Sequence, residues 1–332
     1  MKVAVLGAGS WGTALAILLA RNGNEVTLAG RDPDEMEAMQ VRRENFRYLP
    51  GFAIPREIQI KDLAEPMDGV DLWVVAVPSG AVHSVCGCIR GESPCVLMSS
   101  KGLEPGSGEI LTNVVADQVP TAEIGVISGP NLAVELVRGI PTVAVVAFER
   151  DQTAERVRDA FLNRTYRVYI GTDIVGVELA GALKNVLAIG AGSIDGMGFG
   201  DNTKGALLAR GLHEMARLGA SMGARVETFF GIAGVGDLFA TANSKLSRNY
   251  RVGFGLGQGR PLQAILEELG QVAEGVLTSE AAVVLAHKHG VEIPIFESLN
   301  EMIRGRLKPL DGVSRLMERL PKRETFASDC HA

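Results

Sequence analysis

The stretch KVAVLGAGSWGTALAILLARNGNEVTLAG, from Lys2 to Gly30, constrains the fold more than any other part of the chain. Val3 to Leu6 reads as a buried strand. Gly7, Gly9 and Gly12 then satisfy G-x-G-x-x-G, Ala14 to Ala20 continues as an apolar helix, and Asn22-Gly23 stops it. Glu25 to Gly30 reads as a second strand. The glycine spacing alone is a weak signal, but inside a βαβ unit each glycine has a job. Gly7 permits the tight turn, Gly9 lets the backbone approach a pyrophosphate, and Gly12 lets helix and strand pack closely. The helix N-terminus faces the phosphates. The bland alternative is a glycine turn that serves no ligand.

The end of the second strand bears on which dinucleotide is held. An enzyme using NAD usually places Asp or Glu there for the ribose 2′-hydroxyl. This chain has Arg31, with Asp32 one place later. An arginine can pair with a 2′-phosphate and lie over adenine. NADP is therefore the preferred cofactor and NAD the second choice; Arg31 as a plain loop residue is the alternative.

Further β-rich runs follow at Val70–Ser79, Cys95–Ser100, Ile124–Asn131, Thr142–Phe148 and Tyr166–Gly171. Strands alternating with helical or loop segments predict an α/β doubly wound, Rossmann-type N-terminal domain. Ligands of such sheets bind beyond the carboxyl ends of the strands. Pro78 and Ser79, Lys101, and Gly129, Pro130 and Asn131 stand at those ends. Lys101 is either an ordinary surface lysine or a group opening on the cofactor crevice.

The chain has 332 residues, 46% hydrophobic and 22% charged, enough for two domains. A net charge of −6 without a basic run argues against nucleic-acid binding. Cys86 and Cys88 lack the spacing of a CxxC motif, and no His or carboxylate cluster has metal-ligand spacing, so no metal is expected. The four cysteines read as free thiols of a reducing compartment. The N-terminal apolar run is too short for a signal peptide, and no apolar stretch is expected to reach membrane-spanning length. The protein is expected to be cytoplasmic and not membrane-integral.

From Asp173 onward the pattern is helical, which predicts residues 1–170 as the dinucleotide-binding domain and 171–332 as an all-α C-terminal domain. The tail from about 321 has no periodic pattern and is expected to be disordered. In the second helix Arg210, His213, Glu214 and Arg217 share a face, which places His213 on a solvated side. His287 and His289 sit at a helix end, where positive charge is favourable.

The run ELAGALKNVLAIGAG, Glu178 to Gly192, is an apolar helix with Lys184 and Asn185 at its centre. Helical spacing puts Glu178, Gly181, Lys184, Asn185 and Ala188 on one side, with Gly181 and Ala188 leaving room for something to approach. Lys184 either polarises a carbonyl and delivers a proton, or snorkels from a buried helix. FFGIAGVGDLFATAN carries a single carboxylate, Asp237, a candidate partner for Lys184. Ser247, Arg248 and Asn249 can hold a phosphate or form a solvated face.

GAGSWGTALA, VPS, SKGLE, SGPNLA, ELAGALKNVLAIGAG, GVGDL, SRNYRVG and VAEGVLTS together resemble the NAD(P)-dependent glycerol-3-phosphate dehydrogenases of bacterial type, over roughly Lys2 to Leu320. The resemblance implies reversible reduction of dihydroxyacetone phosphate to sn-glycerol 3-phosphate, feeding glycerophospholipid synthesis. It makes Lys184 the general acid/base and Asp237 its orienting partner. It makes Lys101, Gly129, Asn131, Asn185, Ser247, Arg248 and Asn249 substrate-binding. Gly7, Gly9, Ser10, Trp11, Gly12, Arg31, Pro78, Lys101, Ala133, Arg248, Val272 and Glu274 become cofactor-binding. A homodimer is expected, with the long apolar helices of the second half as its candidate interface. Bacterial members of that family often carry Ser or Thr where this chain has Asn131; an amide both donates and accepts, so the role is expected to survive. The rival readings are a related 2-hydroxy acid dehydrogenase of similar plan and a non-catalytic dinucleotide-sensing protein.

Overall fold

The computed structural model describes residues 1–320. Two compact units divide them: Met1–Lys101 with Ile110–Ile174, and Gly102–Glu109 with the chain from Val175 onward. The expected disorder of the tail and the state of Cys330 lie outside the described residues.

The first unit is an eight-stranded sheet with helices. Its strands are β1 (Lys2–Leu6), β2 (Glu25–Gly30), β5 (Gln59–Asp62), β6 (Leu72–Val75), β7 (Cys95–Met98), β8 (Glu123–Ser128), β9 (Thr142–Ala147) and β10 (Tyr166–Gly171). β3 (Glu44–Asn45) and β4 (Leu49–Ala53) form a separate two-stranded ladder. The helices are α1 (Ser10–Arg21), α2 (Pro33–Arg42), α3 (Val82–Cys86), α4 (Leu111–Gln118), α5 (Ala133–Val137) and α6 (Asp151–Phe161). The sheet order is β10-β9-β8-β7-β6-β1-β2-β5.

All neighbours from β5 through β8 pair in parallel, whereas β8 and β9 are antiparallel and β9 and β10 parallel again. The carboxyl ends of β1, β2, β6, β7 and β8 therefore share one edge, and the last two strands run the other way. A core that includes Leu15, Leu19, Leu28, Leu97, Val146 and Phe161 holds sheet and helices together. Full burial of each such side chain contributes about 1.5–3 kcal/mol.

The second unit is helical: α7 (Ile174–Gly196), α8 (Asp201–Ser221), α9 (Val226–Phe229), α10 (Asp237–Ala242), α11 (Arg248–Gly257), α12 (Leu262–Leu269), α13 (Glu274–Lys288), α14 (Pro294–Ile303) and α15 (Pro309–Met317). A π-helical turn, Ile232–Gly236, leads into α10. The segment Gly102–Glu109 joins this unit, with Gly108 tight against Ala281 and Glu109 paired to Lys288 at 3.1 Å.

Two expectations are corrected. α7 is long and apolar enough to cross a membrane, although none of the apolar stretches was expected to be; 89% of its 18-residue window is buried inside the protein, as suits a core helix. The shared polar face of α8 is not uniformly solvated. Glu214 is 5% exposed and accepts the backbone N–H groups of Ile295 and Phe296, while His213 beside it is half-buried. α14 has no side-chain cap of its own, so a carboxylate from α8 supplies it.

Candidate active site

In the first unit the glycine turn is built by steric necessity. Gly7 has φ +115°, and a Cβ on Gly12 would lie 1.9 Å from the Gly7 carbonyl oxygen. A Cβ on Gly9 would meet nothing within 4 Å, so its face is open. Gly9 is also the N-cap of α1 and offers no side chain, which leaves the N–H groups of Ser10 and Trp11 at an uncapped helix start. The Trp11 Nε1–H is buried without a hydrogen-bond partner. An open glycine over an uncapped N-terminus, beside an orphaned donor, fits a dinucleotide pyrophosphate.

Arg31, just beyond β2, is exposed. Asp32 is committed to α2, where its Oδ1 accepts from Asp34 N at 3.1 Å and Glu35 N at 3.2 Å. Pro78 is exposed past β6 and Ser79 is buried. Lys101, two residues past the last strand partner Ser99, donates to the Gly129 carbonyl at 2.8 Å and so joins the ends of β7 and β8. Gly129 has φ +151°, and a Cβ there would lie 2.7 Å from Val143 O. Both amide atoms of Asn131 are buried without a hydrogen-bond partner. A carboxamide stripped of water and left unpaired costs free energy until a ligand or water completes it. Ala133 opens α5 directly after it. These residues of the first unit gather at its carboxyl edge.

In the second unit Lys184 is 5% exposed and Asp237 1%. Lys184 Nζ lies 3.0 Å from Asp237 Oδ1 and donates to Thr241 Oγ1 at 2.6 Å. The Thr241 hydroxyl donates in turn to Asp237 Oδ1 at 3.2 Å. The π turn delivers this geometry: it ends at Gly236, α10 starts at Asp237, and Thr241 follows one turn later on the same face. An ammonium so deeply buried is tolerated because a carboxylate and a hydroxyl replace its lost water.

Beside it, Ser247 caps α11, its Oγ accepting Tyr250 N at 3.2 Å. Arg248 opens that helix and donates to Gln271 Oε1 at 3.4 Å. Burial pulls the Arg248 guanidinium below its ordinary value, and the negative charge of Glu274 opposes the shift. A guanidinium at a helix N-terminus is chemically suited to an anion. Asn249 and Asn185 are buried and joined, Nδ2 to Oδ1, at 2.9 Å. Val272 is 43% exposed just before α13, which Glu274 opens.

Small residues of α7 let a neighbouring helix approach. A Cβ on Gly192 would sit 2.1 Å from Tyr250 O, so that end of the helix admits α11 rather than a ligand. Thr241 and Gln271 were missed from the sequence. Thr241 was findable, because it falls four residues after Asp237. Gln271 sits in a loop with no periodic signal. Among the described residues no group of His, Cys, Asp and Glu is placed to hold a metal ion.

The chain matches the family model for the NAD-dependent glycerol-3-phosphate dehydrogenase N-terminus over residues 2–154 and the C-terminus model over 173–314. It is 44% identical to a glycerol-3-phosphate dehydrogenase [NAD(P)+] of Desulfitobacterium hafniense over 326 residues, covering 97% of this chain and 93% of that one. It is 44% identical to the protein of the same name from Geobacillus kaustophilus over 330 residues, covering 97% and 96%. The crystal structure of glycerol-3-phosphate dehydrogenase from Coxiella burnetii superposes with a TM-score of 0.91 at 36% identity, covering 96% of this chain and 99% of that one. With the glycine cradle and the buried lysine–carboxylate pair in place, this chain belongs to the NAD-dependent glycerol-3-phosphate dehydrogenase family.

Proposed function

We propose that the protein reversibly reduces dihydroxyacetone phosphate to sn-glycerol 3-phosphate with NADPH or NADH, supplying glycerophospholipid synthesis. The observation that carries this reading is the buried Lys184–Asp237–Thr241 cluster in the helical unit, together with the half-buried Arg248. The dinucleotide, when bound, supplies or accepts the hydride.

Each residue then has a defined task. As the carbonyl at substrate C2 is reduced, its oxygen gains negative charge, and the Lys184 ammonium stabilises that charge and gives the proton. In the oxidising direction the neutral amine takes the hydroxyl proton back. Asp237 and Thr241 fix Nζ, so little reorganisation is needed when charge develops. Arg248 at the start of α11 holds the phosphate away from the reacting carbon, and that remote binding positions the carbonyl. The unpaired amide of Asn131 and the Lys101 ammonium at the sheet edge are groups for substrate or nicotinamide.

Arg31 supports NADPH as the preferred form: it is exposed, whereas the carboxylate of Asp32 is spent on the α2 cap. A homodimer in the cytoplasm completes the proposal. Exposed Phe239 and Leu246 on the helical unit are apolar surface that a second copy would cover, and Cys86, Cys88 and Cys95 are free thiols. Light scattering tests the dimer.

The deciding experiment follows NADPH absorbance when dihydroxyacetone phosphate is added, with wild type and Lys184→Ala. Rapid oxidation by wild type and a loss of turnover of about 10³-fold or more in the variant, with dinucleotide binding retained, is expected. Wild-type-like kcat in Lys184→Ala sinks the assignment.

A further inference from the structure

Asn45 is 1% exposed, and both ends of its carboxamide are engaged inside the first unit. Its Nδ2 donates to the Ala8 carbonyl at 2.8 Å and to Thr13 Oγ1 at 2.7 Å. Its Oδ1 accepts the backbone N–H of Tyr48 at 3.1 Å. A carbonyl can only accept and a backbone N–H can only donate, so Ala8 and Tyr48 together dictate which end of the amide faces the glycine turn.

The two acceptors lie on either side of that turn. Ala8 stands between Gly7 and Gly9, outside both β1 and α1, where no ladder holds its carbonyl. Thr13 follows Gly12 in the first turn of α1; it is fully buried, and its N–H reaches back to Gly9 O at 3.0 Å. The amide therefore closes the turn against the helix. Glycine has the freest backbone of any residue. A turn that offers bare N–H groups to a ligand binds best when those groups already point the right way.

Asn45 is itself held by the small ladder. It pairs with Leu49 across β3 and β4, and Leu49 is buried in the same core as Leu15 and Leu19 of α1. Arg47, in the connection between the two strands, pairs with Glu35 in the first turn of α2. The ladder is separate from the eight-stranded sheet, yet one side chain from it reaches the glycine turn.

We propose that Asn45 is a positioning residue for the dinucleotide. Its amide clamps the Gly7–Ala8–Gly9 turn to α1 and so aims the uncapped N–H groups of Ser10 and Trp11 at the pyrophosphate before the ligand arrives. Asn45 acts through the turn and not on the reacting atoms. The proposal rests on the dehydrogenase reading above.

The test compares wild type, Asn45→Asp, Asn45→Ser and Thr13→Val. Asn45→Asp keeps an acceptor for Tyr48 and removes both donors. Asn45→Ser is too short to span Ala8 and Thr13, and it carries the test if a buried carboxylate prevents folding. Thr13→Val keeps the shape of the side chain and removes one acceptor of the amide. Dissociation constants for NADPH and NADH are read from tryptophan fluorescence, since Trp11 stands in the first turn of α1. Turnover of dihydroxyacetone phosphate is measured at saturating dinucleotide, with thermal unfolding alongside. Each Asn45 variant is expected to weaken dinucleotide binding by about 10- to 100-fold, because two hydrogen bonds that hold the turn are lost. Thr13→Val is expected to weaken it by about 3- to 10-fold. In all three, kcat and KM for dihydroxyacetone phosphate should stay within about threefold of wild type. A lower unfolding temperature with wild-type dinucleotide affinity means a structural role alone and overturns the proposal. A fall in kcat with affinity preserved overturns it too. Wild-type protein that binds neither dinucleotide overturns the dehydrogenase reading and this role with it.

Discussion

Lys184 Nζ sits 3.0 Å from Asp237 Oδ1, and both residues are withdrawn from solvent. The lysine comes from the middle of α7 and the carboxylate from the first position of α10, so the pair is made by tertiary packing. Removing one partner of such a pair strands a buried charge, which costs about 3–5 kcal/mol. The third member, Thr241, can be removed at lower cost and is the better probe of function.

Thr241→Val keeps the shape of the side chain and deletes the hydroxyl that bridges Lys184 and Asp237. Loss of one bond to a charged group is worth about 1.5–3 kcal/mol. The expected result is a kcat lower by about tenfold or more, with a displaced pH–rate profile and a KM near that of wild type. An unchanged kcat and profile would remove Thr241 from the site.

Arg248→Ala deletes the half-buried guanidinium at the start of α11. Charge-assisted bonds of about 1.5–3 kcal/mol convert to a KM for the phosphorylated substrate raised by about 10- to 100-fold. Steady-state kinetics decide it: the same KM and kcat/KM as wild type would refute a phosphate role.

Arg31→Asp places a carboxylate beside the end of β2, where Arg31 is exposed and Asp32 is tied to α2. The ratio of kcat/KM for NADPH to that for NADH is expected to fall by about tenfold or more, since an attractive charge becomes a repulsive one. A constant ratio would detach Arg31 from cofactor choice.

Glu214 makes a prediction about stability. Burial pushes its carboxyl up to about 7 from 4.5, Glu297 adding to the rise, while the N–H groups of Ile295 and Phe296 and the charge of Arg217 oppose it. Its folded value lies above the unfolded one, so its contribution is full below pH 4.5 and is lost as pH climbs through 7. The whole change is roughly 3 kcal/mol. Glu214→Gln keeps an acceptor for α14 and cannot ionise. Thermal unfolding of wild type should weaken from pH 4.5 to 7 and the variant should show a flatter limb over that window. Parallel curves would show that Glu214 does not titrate there.

The first unit was largely legible because its signals are local. β1, α1 and β2 follow from one apolar run, three glycines and a second apolar run. β5 was not legible: QIKD is a polar edge strand with one buried residue, Ile60, and so shows no alternation of apolar positions. Glu214 was misplaced because helical spacing says which residues share a face, while only the packing of α14 over that face says it is buried. Asp237 was found by its isolation in an apolar segment, whereas the bonds of the Asn249 amide to Asn185 and to the Gly275 N–H depend on three helices meeting.

By itself the sequence determined the dinucleotide turn, the change from alternating strands to helices, and the residues able to carry a proton or hold a phosphate. These depend on backbone freedom, on periodicity and on side-chain chemistry, which are properties of short segments. Tertiary structure alone decided that Lys184 donates to Thr241, that Glu214 caps α14, and that Asn249 ties α7 to α13. Each of those joins groups far apart in the chain, and a buried polar group takes whichever partner the packing brings within hydrogen-bonding distance.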